Sequence, residues 1–261
     1  MKQFRILPSL IFLAIISIAA VTALNSSVYE WGKLAVIKSP TGVYRSFFNS
    51  PTRSLDNFDI KAITLIPGED GNNLKIEADV DELFIVKEGK IDISINGDQR
   101  ILGEGSVIVA SSGAEVNIVN PLTSNAVYYL ITFSAFKKTN PMTEKEIVPP
   151  LFIDWRDVEF KPSANGGRRN IMQQKTTNLK ELEIHVTTLK EGLPSHSAHT
   201  HPDEEIILVR KGFVEETIKD KAYRLGPGSI IFLTNDDLHG ISNAGTGECE
   251  YYAIRWLTEL P

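Results

Sequence analysis

The sequence GLPSHSAHTHPDEE occupies residues 192–205 and leads directly into an apolar run. Side chains alternate between the two faces of a β-strand, so in an extended chain His199 and His201 point the same way, about 7 Å apart. Glu205 has the same parity, and His239 follows at a distance that lets a neighbouring strand carry it to the same place. Three imidazoles and a carboxylate suit a first-row transition metal. The stretch therefore predicts a metal site in a β-rich chain.

The chain contains an internal repeat that covers about a hundred residues on each side. Identical residues recur first at an offset of 124 positions and, after a single-residue gap, at an offset of 123. The pairs at the first offset include Trp31/Trp155, Gly42/Gly166, Arg45/Arg169, Leu55/Leu179 and Gly68/Gly192. The pairs at the second offset include Glu82/Glu205, Gly89/Gly212, Gly105-Ser106/Gly228-Ser229, Asn120/Asn243 and Tyr128-Tyr129/Tyr251-Tyr252. A register held over this length indicates two related domains.

We predict domains over 28–138 and 151–261, joined by a polar, proline-containing linker over 139–150. Each domain reads as short strands separated by turns. The stretch Ile91–Ile95 alternates strictly between apolar and polar residues, and Asn96-Gly97 then predicts a two-residue hairpin. No long segment has a helical period, so each half is expected to be an all-β sandwich or barrel.

The first 23 residues predict a signal peptide. Lys2 and Arg5 precede an apolar core, and small residues precede a cleavage site after Ala23. Export to the periplasm or the cell exterior follows, with no membrane attachment after cleavage. An uncleaved N-terminal anchor is the alternative that we favour less, because the apolar stretch approaches spanning length. The single cysteine, Cys249, excludes an intrachain disulfide and is expected to be buried. The formal net charge of −6 argues against a nucleic-acid partner.

The second half resembles the cupin superfamily in both of its sequence motifs. The first motif is matched by His199-Thr200-His201-Pro202-Asp203-Glu204-Glu205, with six residues between Glu205 and Gly212. The second is matched by Gly226-Pro227-Gly228 followed by His239 and Asn243. In one departure, Thr234-Asn235-Asp236 stands where a Pro-x-Gly turn usually precedes the last histidine, which bears on the geometry of that turn.

The resemblance implies an all-β fold of two tandem double-stranded β-helix barrels of the jelly-roll type, a two-domain form called a bicupin. It also implies one divalent transition metal, which could be Fe, Mn, Ni, Cu or Zn. The implied ligands are His199, His201, Glu205 and His239. In the first half, the corresponding positions are Ile76, Ala78, Glu82 and Val116. Only the glutamate is retained, so we expect no such metal site there and a solvated or hydrogen-bonded Glu82.

Several further residues are candidates for the site. His196 could donate a hydrogen bond to a metal ligand or act as a general acid–base, although an exposed loop histidine is favoured. Arg169 could clamp a substrate carboxylate, although a structural salt bridge is favoured. Gln173 and Arg255 are substrate-binding candidates only if their strands have the right parity. His185 alternates with apolar neighbours on a polar face, so it is expected at the surface.

Two recurring or paired features have structural interpretations. Trp31 and Trp155 are expected to pack at the domain interface. The Glu215-Glu216 pair beyond Gly212 is expected in a solvated hairpin rather than in a catalytic dyad.

The favoured function is an exported, metal-dependent bicupin enzyme that acts on a small organic molecule as a dioxygenase, isomerase or hydrolase. The alternative is a non-catalytic bicupin that binds or stores a small molecule or sugar, and a ureidoglycine aminohydrolase-like enzyme is a minor alternative. A homodimer is also possible. An open, water-bearing site near His239 favours the enzyme, whereas a metal plugged by apolar side chains favours the binding protein.

Overall fold

The computed structural model describes residues 22–40, 42–69, 73–136 and 147–259. Residues 1–21 of the predicted signal peptide and residues 139–146 of the predicted linker lie outside the described residues. Strands dominate the described part of the chain, as the sequence predicted, and a single 3₁₀ turn begins at the recurring tryptophan of each repeat. Among the described residues, no helix combines the length and the apolar character that a membrane crossing requires.

The strands of the first repeat are β1 (Ser27–Tyr29), β2 (Ile37–Ser39), β3 (Gly42–Ser50), β4 (Asn57–Leu65), β5 (Leu74–Lys75), β6 (Val80–Glu88), β7 (Lys90–Ile95), β8 (Asp98–Gly103), β9 (Val107–Ser111), β10 (Glu115–Val119) and β11 (Ala126–Ser134). Those of the second repeat are β12 (Leu151–Ile153), β13 (Lys161–Ser163), β14 (Gly166–Gln174), β15 (Glu181–Leu189), β16 (Glu204–Lys211), β17 (Val214–Ile218), β18 (Lys221–Leu225), β19 (Ile230–Leu233), β20 (His239–Asn243) and β21 (Cys249–Leu257). The hairpin between β7 and β8 is confirmed, since Asn96 and Gly97 both have positive φ, 51° and 86°, as a type I′ turn requires.

Each repeat forms a barrel from one large and one small antiparallel sheet. The large sheets have the strand orders β12-β9-β6-β11-β4-β3-β2 and β1-β19-β16-β21-β15-β14-β13, and the small ones β5-β10-β7-β8 and β18-β17-β20. The first strand of each repeat pairs with the other repeat: Val28 lies opposite Ile231 in one sheet, and Phe152 opposite Ile108 in the other. The two barrels therefore exchange their N-terminal arms.

The exchanged arms explain why a tryptophan and a Gly-Ser pair recur together. Trp31 packs on the Gly228 turn and its amide donates to the Ser229 hydroxyl at 3.2 Å. Trp155 contacts Gly105 and Ser106 in the same way, with a 3.1 Å hydrogen bond. A Cβ at Gly228 would lie 2.7 Å from the indole, so the close approach needs glycine. The predicted interface role of both tryptophans is confirmed.

Three apolar clusters among the described residues hold the two barrels together. The largest lies between the two large sheets and draws on both repeats, with Phe58 and Trp256 in contact across it at a ring-centroid distance of 4.7 Å. Each of the other two fills one barrel. Each large sheet therefore packs one face against the other barrel and turns its second face toward the interior of its own barrel. The candidate functional residues described below lie on this second, interior face.

Candidate metal centre

A cavity of about 380 Å³ opens inside the barrel of the second repeat. One of its walls is β15, whose side chains alternate between two different environments. Leu182, Ile184 and Val186 are buried in the core between the barrels, whereas Glu183 and His185 line the cavity. The polar face of this strand thus looks into the barrel rather than into solvent.

Three histidines converge on the cavity. His199 and His239 form an isolated antiparallel bridge, in which each backbone N–H donates to the other's carbonyl at 3.0 Å. The ring centroids of His199 and His201 are 5.4 Å apart, and those of His201 and His239 are 4.9 Å apart. One ring nitrogen from each of the three lies within 4.8 Å of the others. This spacing allows the three imidazoles to share one ion.

Backbone carbonyls orient two of these rings. Nδ1 of His201 lies 2.9 Å from the Asp203 carbonyl oxygen, and Nδ1 of His239 lies 2.8 Å from that of Asp237. A proton on each Nδ1 leaves the Nε2 lone pair free to bind a metal. Nε2 of His239 is buried and has no hydrogen-bond partner among the described residues. A buried polar atom without a partner is costly, so this nitrogen fits the role of a ligand to an ion.

Glu205 lies beside the same two nitrogens. Its Oε2 is 3.1 Å from His201 Nε2 and 3.7 Å from His239 Nε2. The hydrogen bond with Glu205 raises the pKa of His201, while burial lowers the pKa of His239. The donor set of three imidazoles and one carboxylate is suited to a first-row transition metal. All four residues that the sequence predicted as ligands are brought together.

The turn before His239 forms despite its unusual sequence. Asp236 adopts φ 64°, the left-handed conformation that Gly113 adopts at the equivalent turn of the first repeat, with φ 81°. Aspartate tolerates this region better than most residues. His196, the predicted acid–base candidate, is exposed at the rim of the cavity, with its ring centroid 4.3 Å from that of His199.

The substrate-binding candidates fall in different places. Arg255 lines the cavity. Arg169 does not; its guanidinium lies 4.7 Å from the centroid of the Trp155 ring and donates to the Val158 carbonyl. Arg169 therefore has the structural role that the sequence favoured, through a ring and a carbonyl rather than a salt bridge, and the weaker possibility of a substrate clamp is not supported. Its neighbour Arg168 has the parity that faces the cavity. Gln173 is exposed and hydrogen-bonds to Glu181 at 3.2 Å, outside the cavity.

His185 lines the cavity, so the prediction of a surface position is wrong. Its side chain is 14% exposed, and Nδ1 lies 3.3 Å from Glu183 Oε1. Burial and the nearby Arg168 charge lower its pKa to about 4, which leaves the imidazole neutral at physiological pH. The polar face of β15 predicted a surface because sequence alone does not distinguish solvent from a polar cavity.

The prediction that Glu215 and Glu216 both lie in a solvated hairpin is wrong for Glu216. Glu215 is exposed, but Glu216 is fully buried and lines the cavity. Neither of its carboxyl oxygens accepts a hydrogen bond from another described side chain, and the backbone N–H of Gly240 lies close to the carboxyl. Burial, reinforced by the charge of Glu205, raises the pKa of Glu216 to about 8. The neutral form of this carboxyl therefore predominates at pH 7.

The first barrel has an apolar interior where the second has histidines. Ile76 and Val116 are buried there, so the described residues offer no imidazole at either position. The expectation of a solvated or hydrogen-bonded Glu82 does not hold at Oε2, which is buried and has no hydrogen-bond partner among the described residues; burial raises the pKa of this carboxyl to about 7. Cys249 is buried as expected, and burial raises the pKa of its thiol to about 11.

Comparison with known proteins identifies the fold. The Cupin_2 family model, described as cupin domain, matches residues 185–255. No curated protein sequence matches the chain. The structure of the Escherichia coli protein Ylba (family model DUF861) is 14% identical, with a TM-score of 0.69 over 94% of this chain and 96% of that one.

Two further solved structures are similar over nearly the whole chain. A putative glyoxylate-induced protein of Pseudomonas aeruginosa is 13% identical, with a TM-score of 0.72 and coverage of 93% of this chain and 94% of that one. The oxalate decarboxylase of Lactobacillus farciminis, solved as a formate complex, is 13% identical, with a TM-score of 0.70 and coverage of 91% and 88%. At these identities the likeness shows the fold alone. Residues 185–255 of the chain therefore match the cupin domain model, and the chain as a whole has the fold of these solved structures.

Proposed function

We propose that this protein is an exported bicupin enzyme that binds one divalent transition metal in its C-terminal barrel and acts on a small organic molecule there. The observation that carries the proposal is the approach of three imidazole nitrogens to within 4.8 Å of one another at a cavity of about 380 Å³. Manganese is one candidate among the five metals, and Mn(II) centres are described for the oxalate decarboxylase of Bacillus subtilis, which shares the fold.

His199, His201, His239 and Glu205 would hold the ion. Such an ion, when bound, supplies a Lewis acid or a redox centre. The chain's own residues provide the remaining chemistry: carbonyls fix two imidazole orientations, and the cavity walls provide a neutral histidine, a buried carboxyl and two arginines. Polar groups of this kind favour an enzyme over a binding protein, because the non-catalytic alternative predicts a centre closed by apolar side chains.

Metal analysis of the purified protein tests this proposal. We expect about one equivalent of Fe, Mn, Ni, Cu or Zn in the wild-type protein and its loss in His201→Ala. The matched control is His185→Gln, which removes a cavity histidine outside the ligand set and should leave the metal content unchanged. The absence of metal from the wild-type protein, even after reconstitution with each metal, would contradict the proposal.

Export is supported by the sequence of residues 1–23 alone. N-terminal sequencing of the protein from extracellular or periplasmic fractions should give a mature chain that begins at Leu24. A chain that starts at Met1 and sediments with membranes would support the uncleaved anchor instead.

A further inference from the structure

Two arginines share one buried carboxylate at the wall of the cavity. Glu183 is 6% exposed, and its Oε1 accepts a 2.9 Å hydrogen bond from Nη2 of Arg168, while its Oε2 accepts one from Nη2 of Arg255. The two guanidinium groups are thus held on either side of a single acid. Their side chains are 47% and 33% exposed, so a solute that enters the cavity can reach both.

Each guanidinium retains donor capacity. Arg168 uses Nε and Nη2 for Asn170 and Glu183, and its Nη1 donates no hydrogen bond to another described residue. Nη1 of Arg255 also donates no hydrogen bond among the described residues, although it lies 3.8 Å from Asp203 Oδ2. Each arginine can therefore donate to a ligand without breaking its bond to Glu183.

The first repeat serves as an internal control for these residues. The positions of Arg168, Glu183 and Arg255 are occupied there by Tyr44, Asp59 and Thr132. The acid is retained and pairs with Lys61 instead, at 2.5 Å. Both arginines are therefore confined to the barrel that has the histidines. Arginines that served only the packing of a barrel would be needed equally in both repeats.

A bound divalent ion would leave the cavity with a positive balance that favours an anion. The ion and the guanidinium groups of Arg168 and Arg255 would face three ionised acids, Glu183, Glu205 and Asp203. Both guanidinium groups share Glu183. Burial alone would raise the pKa of this carboxyl, but the hydrogen bond and charge of Arg255, together with the hydrogen bond from Arg168 and other nearby charge, lower it. His185 and Glu216 are both buried on the cavity wall, where an unpaired charge is costly, so they add no lasting charge. A planar guanidinium fork matches a carboxylate better than it matches a neutral amide or a sugar hydroxyl.

We propose that the cavity takes a small organic carboxylate and that Arg168 and Arg255 bind its carboxylate group through their free Nη1 donors. This inference rests on the proposed function, since it assigns a substrate class to the same cavity.

The test compares lactate with lactamide, its neutral isostere, by calorimetric titration of the manganese-loaded protein and of the metal-free protein. We expect the wild-type protein to bind lactate about tenfold or more tightly than lactamide, as loss of a charged hydrogen bond implies. Arg168→Tyr, which installs the residue of the first repeat, should remove most of this preference and leave the lactamide affinity and the manganese content unchanged. Arg100→Gln, which removes an exposed charge from the other barrel, is the matched control.

Arg255→Thr alone would leave the buried Glu183 carboxylate with only Arg168 as a charged hydrogen-bond partner. The second variant therefore combines Arg255→Thr with Glu183→Gln, so that no buried charge loses its partner. It should also lose the preference for lactate. Equal affinity of the wild-type protein for lactate and lactamide, or the absence of binding of both, would overturn the carboxylate assignment. An unchanged preference in both arginine variants would overturn the role of the arginines. Each result is separate from the metal content, which alone decides the proposed metal site.

Discussion

The buried carboxyl of Glu216 should contribute stability to the metal-free protein that is lost as the pH rises. Burial and the charge of Glu205 raise its folded-state pKa to about 8, against an ordinary value of 4.5. A group with a raised folded pKa contributes stability that is fully present below the unfolded pKa and is lost as the pH rises through the folded pKa. Each pKa unit corresponds to about 1.4 kcal/mol, so the loss between pH 4.5 and 7 is on the order of 3 kcal/mol.

Glu216→Gln tests this reasoning because it keeps the shape and cannot ionise. Urea unfolding of the metal-free protein at about pH 4.5 and 7 gives the free energy of unfolding at each pH. We expect the free energy of unfolding of the variant, relative to that of the wild-type protein, to be about 3 kcal/mol higher at pH 7 than at pH 4.5. Glu215→Gln, an exposed neighbour on the same strand, should show no such change. An equal difference between Glu216→Gln and wild type at both pH values would refute the buried, neutral carboxyl.

Three further predictions concern the exchange of arms and the metal. Gly228→Ala should destabilise the protein by more than about 1 kcal/mol beyond Gly113→Ala, because both have positive φ but only the first meets an indole; urea unfolding measures both. Thr52→Val should lower the free energy of unfolding by about 2 kcal/mol in the same assay, because it removes a 2.6 Å hydrogen bond to the buried Glu204 carboxylate across the barrel interface. An unchanged free energy of unfolding would show that this hydrogen bond does not stabilise the interface. Metal removal by a chelator should lower the melting temperature of the wild-type protein and leave that of His201→Ala unchanged, by calorimetry; an equal fall in both would contradict the assignment of this ligand.

The sequence predicted those features that depend on local spacing or on repetition. The alternation of Ile91, Ile93 and Ile95 and the Asn96-Gly97 turn specify a hairpin through local geometry alone. The spacing of the histidine motif predicted the cluster because a strand alternates its faces. The recurrence of the tryptophans predicted an interface, although it did not reveal that each arm crosses to the other barrel.

The errors have one physical origin: alternation reveals two faces of a strand but not what each face meets. The polar face of β15 predicts a position in solvent. In the structure its apolar face packs against the other barrel, and its polar face, with His185, lines the cavity. The same ambiguity placed Glu216 at the surface. The recurrence of Arg45 and Arg169 made Arg169 the arginine candidate, but its guanidinium stacks on the indole of Trp155. The adjacent Arg168 lies on the face of the strand that lines the cavity.

Anomalous diffraction from crystals of the metal-reconstituted protein, recorded at the absorption edge of the bound metal, tests the central claim most directly. The account predicts one strong peak within bonding distance of His199, His201, His239 and Glu205, and no peak beside Ile76 and Val116 in the first barrel. A peak elsewhere, or no peak in protein that contains metal by elemental analysis, would contradict it.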